Sequence, residues 1–313
     1  KSRVIYLEVL RAIYGMLVAS LLWYRKIKTD LESEGFKFNP YDACIANRTY
    51  LQVQQTIRLH VDDMLVSSAN PKANDDFHAW CERKYGKLKP VKCRRGKLHE
   101  FLGMTLDFGK TPGSCHVMQY EHVRDMIDTL ANFEKCKLTG NSPSPAANDL
   151  FRRGPGGLLC QKQKEIFHTC TAKGIFIAKR SRPDMALAVS VLSGRVRDPT
   201  QDDWKKLKRL CNYLEGSFKL HLVLCIGDDG VSILKWYVDA SFAVHEDFRS
   251  HTGGVLCPSI KGGALISGSI RQKLNTRSST EAELVGADDF MSKIVWTLSF
   301  LKSQGLRPGK NIL

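Results

Sequence analysis

Acidic residues are scarce in this chain. Its 313 residues carry 32 Asp and Glu against 47 Lys and Arg, a net charge of +15. The excess favours a polyanionic partner, because neutralising phosphates releases counterions. A basic, well-solvated surface is the plainer alternative. Long apolar runs are also missing. The longest, Tyr14 to Tyr24, is too short to cross a bilayer, and nothing at the start has the form of a signal peptide. The ten cysteines form no C-x-x-C pair, which argues against a zinc site or a secreted disulfide framework and suits a reducing compartment. The nine histidines make no H-E-x-x-H pattern. No G-x-S-x-G, P-loop, dinucleotide fingerprint, internal repeat or low-complexity tract occurs. The chain opens on Lys1, which fits a processed product or a piece of a longer reading frame.

What is present is ordinary apolar content, 43%, enough for real cores. The length suggests two or three folded units. Leu17 to Glu34 reads as a helix with Leu21, Leu22, Tyr24, Ile27 and Leu31 inward and Gly35 as its stop. Between Leu51 and Ser67 the alternation of Ile57, Leu59 and Val61 with Arg58 and His60, broken by Asp62-Asp63, predicts strand, acidic turn, strand. Asn70-Pro71 opens a helix that Gly86 closes, with Phe77, Trp80, Cys81 and Lys84 on one face. A basic loop follows (Lys87, Lys89, Lys92, Arg94, Arg95, Lys97), then a strand from Phe101 to Phe108 and a helix from Tyr120 to Phe133. Residues 139–157, with three prolines and four glycines, read as a linker. Three helices are expected over 162–179, 183–195 and 201–214, the last capped by Thr200 with Asp203. Three strands, 234–244, 253–259 and 264–272, and a long helix from Glu281 to Gln304 complete the chain.

Four constellations carry chemistry. In His60-Val61-Asp62-Asp63, two adjacent carboxylates at a hairpin tip repel each other and suit a divalent cation between them. A solvated acidic turn is the plain alternative, and packing is a simpler role for His60 than ligation. Asp239 sits on an apolar strand. Glu283, at the start of the last helix, could share a metal with it, or could serve a capping box with Thr280. On the helix from Trp204 to Leu214, the residues Trp204, Leu207, Cys211 and Leu214 form the buried stripe. Lys205, Lys208 and Arg209 form a basic face that could track a phosphate backbone or simply be hydrated.

In this order, the motifs resemble the reverse transcriptase–ribonuclease H part of a copia-type LTR-retrotransposon Pol polyprotein. Arg11-Ala12-Ile13-Tyr14-Gly15 with Trp23-Tyr24 resembles the block around LYG. His60 to Asp63 resembles the YVDD box, and Phe101-Leu102-Gly103 the FLG after it. Arg182-Pro183-Asp184 with Ala188-Val189-Ser190, then Trp204, Lys208-Arg209 and Tyr213-Leu214, continue the match. Val238 to Ser241, Thr252-Gly253-Gly254, Gln272-Lys273 and Ser278 to Glu283 resemble the tethered ribonuclease H domain.

The resemblance implies an α+β protein: a truncated palm and thumb over 1–138, a linker over 139–157, a helical connection over 158–218 and an incomplete ribonuclease H-like domain over 232–313. It implies Asp62 and Asp63 as palm carboxylates and Asp239 and Glu283 as the first ribonuclease H acids, holding Mg2+, with Mn2+ as substitute. It places Lys205, Lys208 and Arg209 near the template–primer. It further implies an RNA template, an RNA–DNA hybrid, deoxynucleotide triphosphates and the remainder of the Pol polyprotein as partners, no membrane, and a cytoplasmic virus-like particle or the nucleus as location. Departures stand beside these. His60 replaces the family's Tyr, and Val18 and Leu21 replace a Gln and an Arg. The first palm aspartate and the later ribonuclease H aspartates of the family have no counterpart here, so each site is expected to hold about half of its acids. Little or no activity of the segment alone is the expectation, with a non-catalytic nucleic-acid-binding relic as the rival and a standalone nuclease as a third reading.

Overall fold

The computed structural model describes residues 8, 12, 13, 15–226, 233–259, 261–307 and 309–312. Arg11 and Tyr14 of the first sequence block lie outside them. Helices and mainly antiparallel sheets make up a mixed α and β architecture. The chain divides into two compact units, one of Lys1–Arg94 with Ser299–Gly305 and one of Arg95–Leu298 with Leu306–Leu313.

The first unit contains α1 (Ala19–Ser33), a meander of β1 (Lys37–Asn39), β2 (Asp42–Tyr50), β3 (Val53–His60) and β4 (Asp63–Ser68), and α2 (Pro71–Tyr85). Strand β3 alternates as its sequence predicts: Gln55, Ile57 and Leu59 are buried, Arg58 and His60 exposed. The core joins Ile27, Leu31, Phe36, Ala46, Ile57, Leu59, Phe77, Trp80 and Cys81. Helix α2 starts and stops as expected. Asn70 Oδ1 accepts from the Lys72 N–H at 3.0 Å, and Gly86 follows its last turn. The inward face of α1 differs from the expected one. Ile27 and Leu31 are buried, but Leu21 and Leu22 are each 46% exposed. At 100° per residue the buried stripe runs through Trp23, Ile27 and Leu31, and Leu21 falls on its far side. Strands β1 and β2 were not foreseen.

The second unit opens with the sheet β5 (Leu98–Phe101), β6 (Met104–Asp107), β7 (Ser114–Met118) and β8 (Leu222–Cys225), paired in that order. The single strand expected over 101–108 is two, because Leu102 (φ 54°) and Gly103 (φ 71°) turn the chain. Four helices follow: α3 (Tyr120–Glu134), α4 (Gln161–Ala178), α5 (Ala186–Ser193), reached through a 3-10 turn at Pro183–Met185, and α6 (Gln201–Gly216). They share one core, to which α6 contributes the predicted stripe Trp204, Leu207, Cys211 and Leu214. The capping box of Thr200 and Asp203 is formed. Strand β7 pairs with β8, and α3 packs with α4 and α6, so residues from Arg95 onward join the second unit.

The segment 139–157 has neither helix nor strand, as its prolines and glycines dictate, yet it is tied down. Asn212 Oδ1 accepts from the Thr139 N–H, Arg195 donates to the Phe151 carbonyl at 2.6 Å, and Leu150 is buried. Beyond α6 lies the sheet β11-β10-β9-β12, from β9 (Ile233–Ser241), β10 (His251–Cys257), β11 (Ile266–Arg271) and β12 (Lys310–Ile312), with β12 parallel to β9. Helix α7 (Ser279–Ser303) lays Ala282, Gly286, Phe290, Ile294 and Thr297 inward. The Phe290 ring rests directly on Gly254 and Gly268. A Cβ on Gly254 would come within 2.4 Å of it, so only glycine admits the ring there.

Candidate functional site

Asp62 and Asp63 stand at the tip of the β3–β4 hairpin. Val61 and Asp62 form the two-residue link, and His60 faces Asp63 across the ladder. Both carboxylates are exposed, and neither enters an ion pair among the described residues. Water can supply their hydrogen bonds, so their presence alone does not demand a cation. His60 is exposed as well, which corrects the packing role expected of it. Beneath the tip the support is specific. Trp23 Nε1 donates to the Val61 carbonyl at 2.7 Å, and the Trp23 ring meets Tyr85 edge-on at 5.5 Å. Tyr85 in turn donates to Asp30 Oδ2 at 2.5 Å, where Lys26 and Lys84 also donate, each at 2.9 Å to this carboxylate. Burial pushes the Asp30 carboxyl up, but these three donors outweigh it and hold it at about 2. Val61 itself has φ 54°, a left-handed conformation unusual for a β-branched residue.

The second pair is on the other unit. Glu283 Oε1 accepts from the Ala240 N–H at 3.3 Å, which places its carboxylate beside the strand residue next to Asp239. The capping box foreseen between Thr280 and Glu283 is not what closes this helix end. Ser278 Oγ accepts from the Glu281 N–H at 3.2 Å, and Glu281 Oε2 accepts from the Arg277 N–H at 2.6 Å. The cap therefore sits two residues earlier, and Glu283 is released to reach β9. Asp239 is exposed and lines a cavity of about 610 Å³ with Trp236, Val238, His251, Gly253 and Ser269.

Paired carboxylates are hard oxygen donors of the kind magnesium takes. Among the described residues no group of three or more His, Cys, Asp or Glu is placed to hold a metal ion. Each pair as described offers two donor residues.

The basic face of α6 is largely engaged within the fold. Lys208 Nζ donates to Glu134 Oε2 at 2.5 Å, and Trp204 Nε1 donates to the same carboxylate at 2.8 Å. The Lys208 hydrogen bond, against burial, lowers the Glu134 carboxyl. Arg209 donates to Ser144 Oγ at 3.0 Å. Lys205 alone of the three is exposed.

Two networks escaped the sequence reading. Arg182, 1% exposed, donates to Asp184 and to the Ser217 carbonyl and hydroxyl, and Tyr213 donates to Asp184 at 2.7 Å. His245 Nε2 lies 3.0 Å from His251 Nδ1, and His251 Nε2 lies 2.7 Å from Ser269 Oγ. Burial, then His245, brings His251 down to about 4. The spacing of these residues along the chain held no signal, since β10–β11 pairing brings Ser269 to His251.

Residues 2–144 match the family described as reverse transcriptase (RNA-dependent DNA polymerase). The retrovirus-related Pol polyprotein from transposon TNT 1-94 of Nicotiana tabacum is 25% identical over 300 residues, 95% of this chain and 22% of that polyprotein. The putative transposon Ty5-1 protein of Saccharomyces cerevisiae is 25% identical over 291 residues, 92% of this chain and 89% of that protein. A secreted RxLR effector protein of Plasmopara viticola is 34% identical over 116 residues, 37% of this chain and 80% of that protein. No solved structure matches. The domain that bears the aspartate hairpin is thus of the reverse transcriptase class. The chain as a whole is similar to retrotransposon Pol polyproteins, so the resemblance drawn from the motifs holds; it spans about a fifth of the length of the TNT 1-94 polyprotein.

Proposed function

We propose that this chain is a copia-type Pol segment whose parent activity is RNA-directed DNA synthesis coupled to hydrolysis of the RNA strand of an RNA–DNA hybrid. In this reading residues 1–138 correspond to the palm and thumb, 139–157 to the linker, 158–218 to the helical connection and 232–313 to the ribonuclease H-like domain. The observation that carries it is the hairpin: two adjacent aspartates at an exposed tip whose carbonyl is held by Trp23. Asp62 and Asp63 would hold a divalent cation that neutralises phosphate charge. Asp239 and Glu283 would do the same in the second unit. Template, hybrid and nucleotide triphosphates are the partners this chemistry serves.

Two donor residues at each place would bind such ions weakly and turn over little. The test is primer extension and hybrid RNA cleavage by the 313-residue chain in Mg2+ or Mn2+, beside Asp62→Asn/Asp63→Asn and Asp239→Asn/Glu283→Gln variants. The expected result is a trace of activity at most, lost in the matching variant. Turnover typical of an intact enzyme contradicts the reading of incomplete sites. A second reading is a non-catalytic, repurposed nucleic-acid-binding module; the likeness of part of the chain to a protein named as a secreted effector accords with repurposing. Binding indifferent to Mg2+ and to all four substitutions selects it.

A further inference from the structure

The +15 charge needs an outlet, and α6 does not provide it, because Lys208 and Arg209 are engaged internally. The loop after α2 does. From Gly86 to His99 the chain contains no acidic residue. Within the first unit Lys87, Lys89, Lys92 and Arg94 are all exposed, and none of their side chains has an ion pair among the described residues. Clustered like charges repel, so a free coil would spread them apart. Here the loop is pinned at its centre. The Val91 N–H donates to Glu82 Oε2 at 2.8 Å, the Val91 carbonyl lies 3.3 Å from His78 Nε2, and the Val91 side chain packs on the unit's core. The first of these bonds also engages Glu82, the last acidic residue of α2, with backbone.

The loop's position gives the charge a purpose. It leaves α2 just after Tyr85. The Tyr85 ring touches Trp23, and Trp23 donates to the Val61 carbonyl at the hairpin tip. One short chain of contacts thus puts the start of the loop at the same end of the unit as Asp62 and Asp63.

We propose that the loop Lys87–Arg94 is a phosphate-backbone clamp for the nucleic acid whose strand is presented to Asp62 and Asp63. The proposal rests on the nucleic-acid reading given above. The acidic tip by itself repels a polyphosphate. A pinned row of cations that starts at that end and runs back along α2 offsets that repulsion and reads charge, not sequence.

Two variants of equal net charge test it, with affinity for a labelled RNA–DNA hybrid oligonucleotide measured by anisotropy across a salt series. One carries Lys87→Gln, Lys89→Gln, Lys92→Gln and Arg94→Gln. The control carries Lys135→Gln, Lys162→Gln, Lys219→Gln and Lys261→Gln, all exposed elsewhere. Four lost phosphate contacts should make the slope of log affinity against log salt shallower by about 3.6 and weaken binding at least tenfold near ~0.15 M salt, with the control near wild type. Equal effects of the two variants, or none from the loop variant in a chain that still binds, overturn the clamp and leave the nucleic-acid reading standing. A wild-type chain that ignores the hybrid, or prefers anionic lipid vesicles to it, overturns both. Unchanged circular dichroism of the loop variant excludes unfolding as the cause of a loss.

Discussion

Val61 is a β-branched residue held at φ 54°, and its side chain is 59% exposed. The left-handed conformation costs such a residue about 1–2 kcal/mol. Because the side chain is mostly in water, replacing it forfeits little burial. A two-residue hairpin link with positive φ at its first residue only is a place for Gly, Asn or Asp rather than a β-branched side chain. Val61→Asn should therefore stabilise the hairpin by about 1 kcal/mol, most of the relieved strain. Val61→Gly relieves it equally but raises the entropy of the unfolded chain by about 0.5–1 kcal/mol, so its net effect should lie near zero. What holds the strained residue is the Trp23 hydrogen bond to its carbonyl. Trp23→Phe keeps an aromatic ring against Tyr85 and removes that bond, a loss of about 1 kcal/mol. A chain with two compact units need not unfold in one step, so the readout must be local. Hydrogen exchange by mass spectrometry of peptides covering β3 and β4 supplies it. Protection should rise roughly fivefold in Val61→Asn, stay level in Val61→Gly and fall by a similar factor in Trp23→Phe. Faster exchange in Val61→Asn than in wild type would refute the assignment of strain to Val61.

Three further outcomes are expected. Ser278→Ala should destabilise the start of α7 by about 1 kcal/mol and Thr280→Ala by much less, measured by exchange of the first-turn amides, because Ser278 is the cap; the reverse order would restore the Thr280–Glu283 box. His251 is held at about 4, below its ordinary value, first by burial and then by His245. The unfolded chain then takes up more protons in that interval, so the second unit should lose stability as pH falls from about 6.5 through 4. His251→Gln should flatten that part of the pH profile of thermal unfolding, and an unchanged profile would contradict the buried neutral histidine. Arg182→Met should cost about 3 kcal/mol or more, because it leaves the carboxylate of Asp184 without its buried cation. Thermal unfolding of Arg182→Met beside Arg182→Met/Asp184→Asn measures it, the double variant recovering part of the loss.

Local signals gave the elements whose ends are chemically marked. Asn70-Pro71 before α2 and Thr200 with Asp203 before α6 are start signals written in adjacent residues, and both are formed. Period-2 alternation found β3 because Ile57 and Leu59 alternate with charged neighbours. It missed β2, where Ala46 is the one fully buried residue in Asp42–Tyr50. Strands β7 and β8 pair Ser114 with Cys225 across more than a hundred residues, a contact no local pattern encodes. The site candidates follow the same division. Adjacency placed Asp62 and Asp63 together on one hairpin. Glu283 was ambiguous until the cap at Ser278 settled what its carboxylate does not do. Lys208 and Arg209 read as free cations because Glu134 and Ser144, which engage them, lie on segments distant in sequence.

The central claim is that the exposed aspartates of the β3–β4 hairpin are cation ligands and not hydrated turn residues. Paramagnetic broadening by Mn2+ in two-dimensional NMR of the full chain tests it directly. Preferential, saturable broadening of the Val61, Asp62 and Asp63 amides, abolished by Asp62→Asn with Asp63→Asn, is the predicted result. Broadening spread evenly over all exposed carboxylates, or unaltered by the two substitutions, would contradict it.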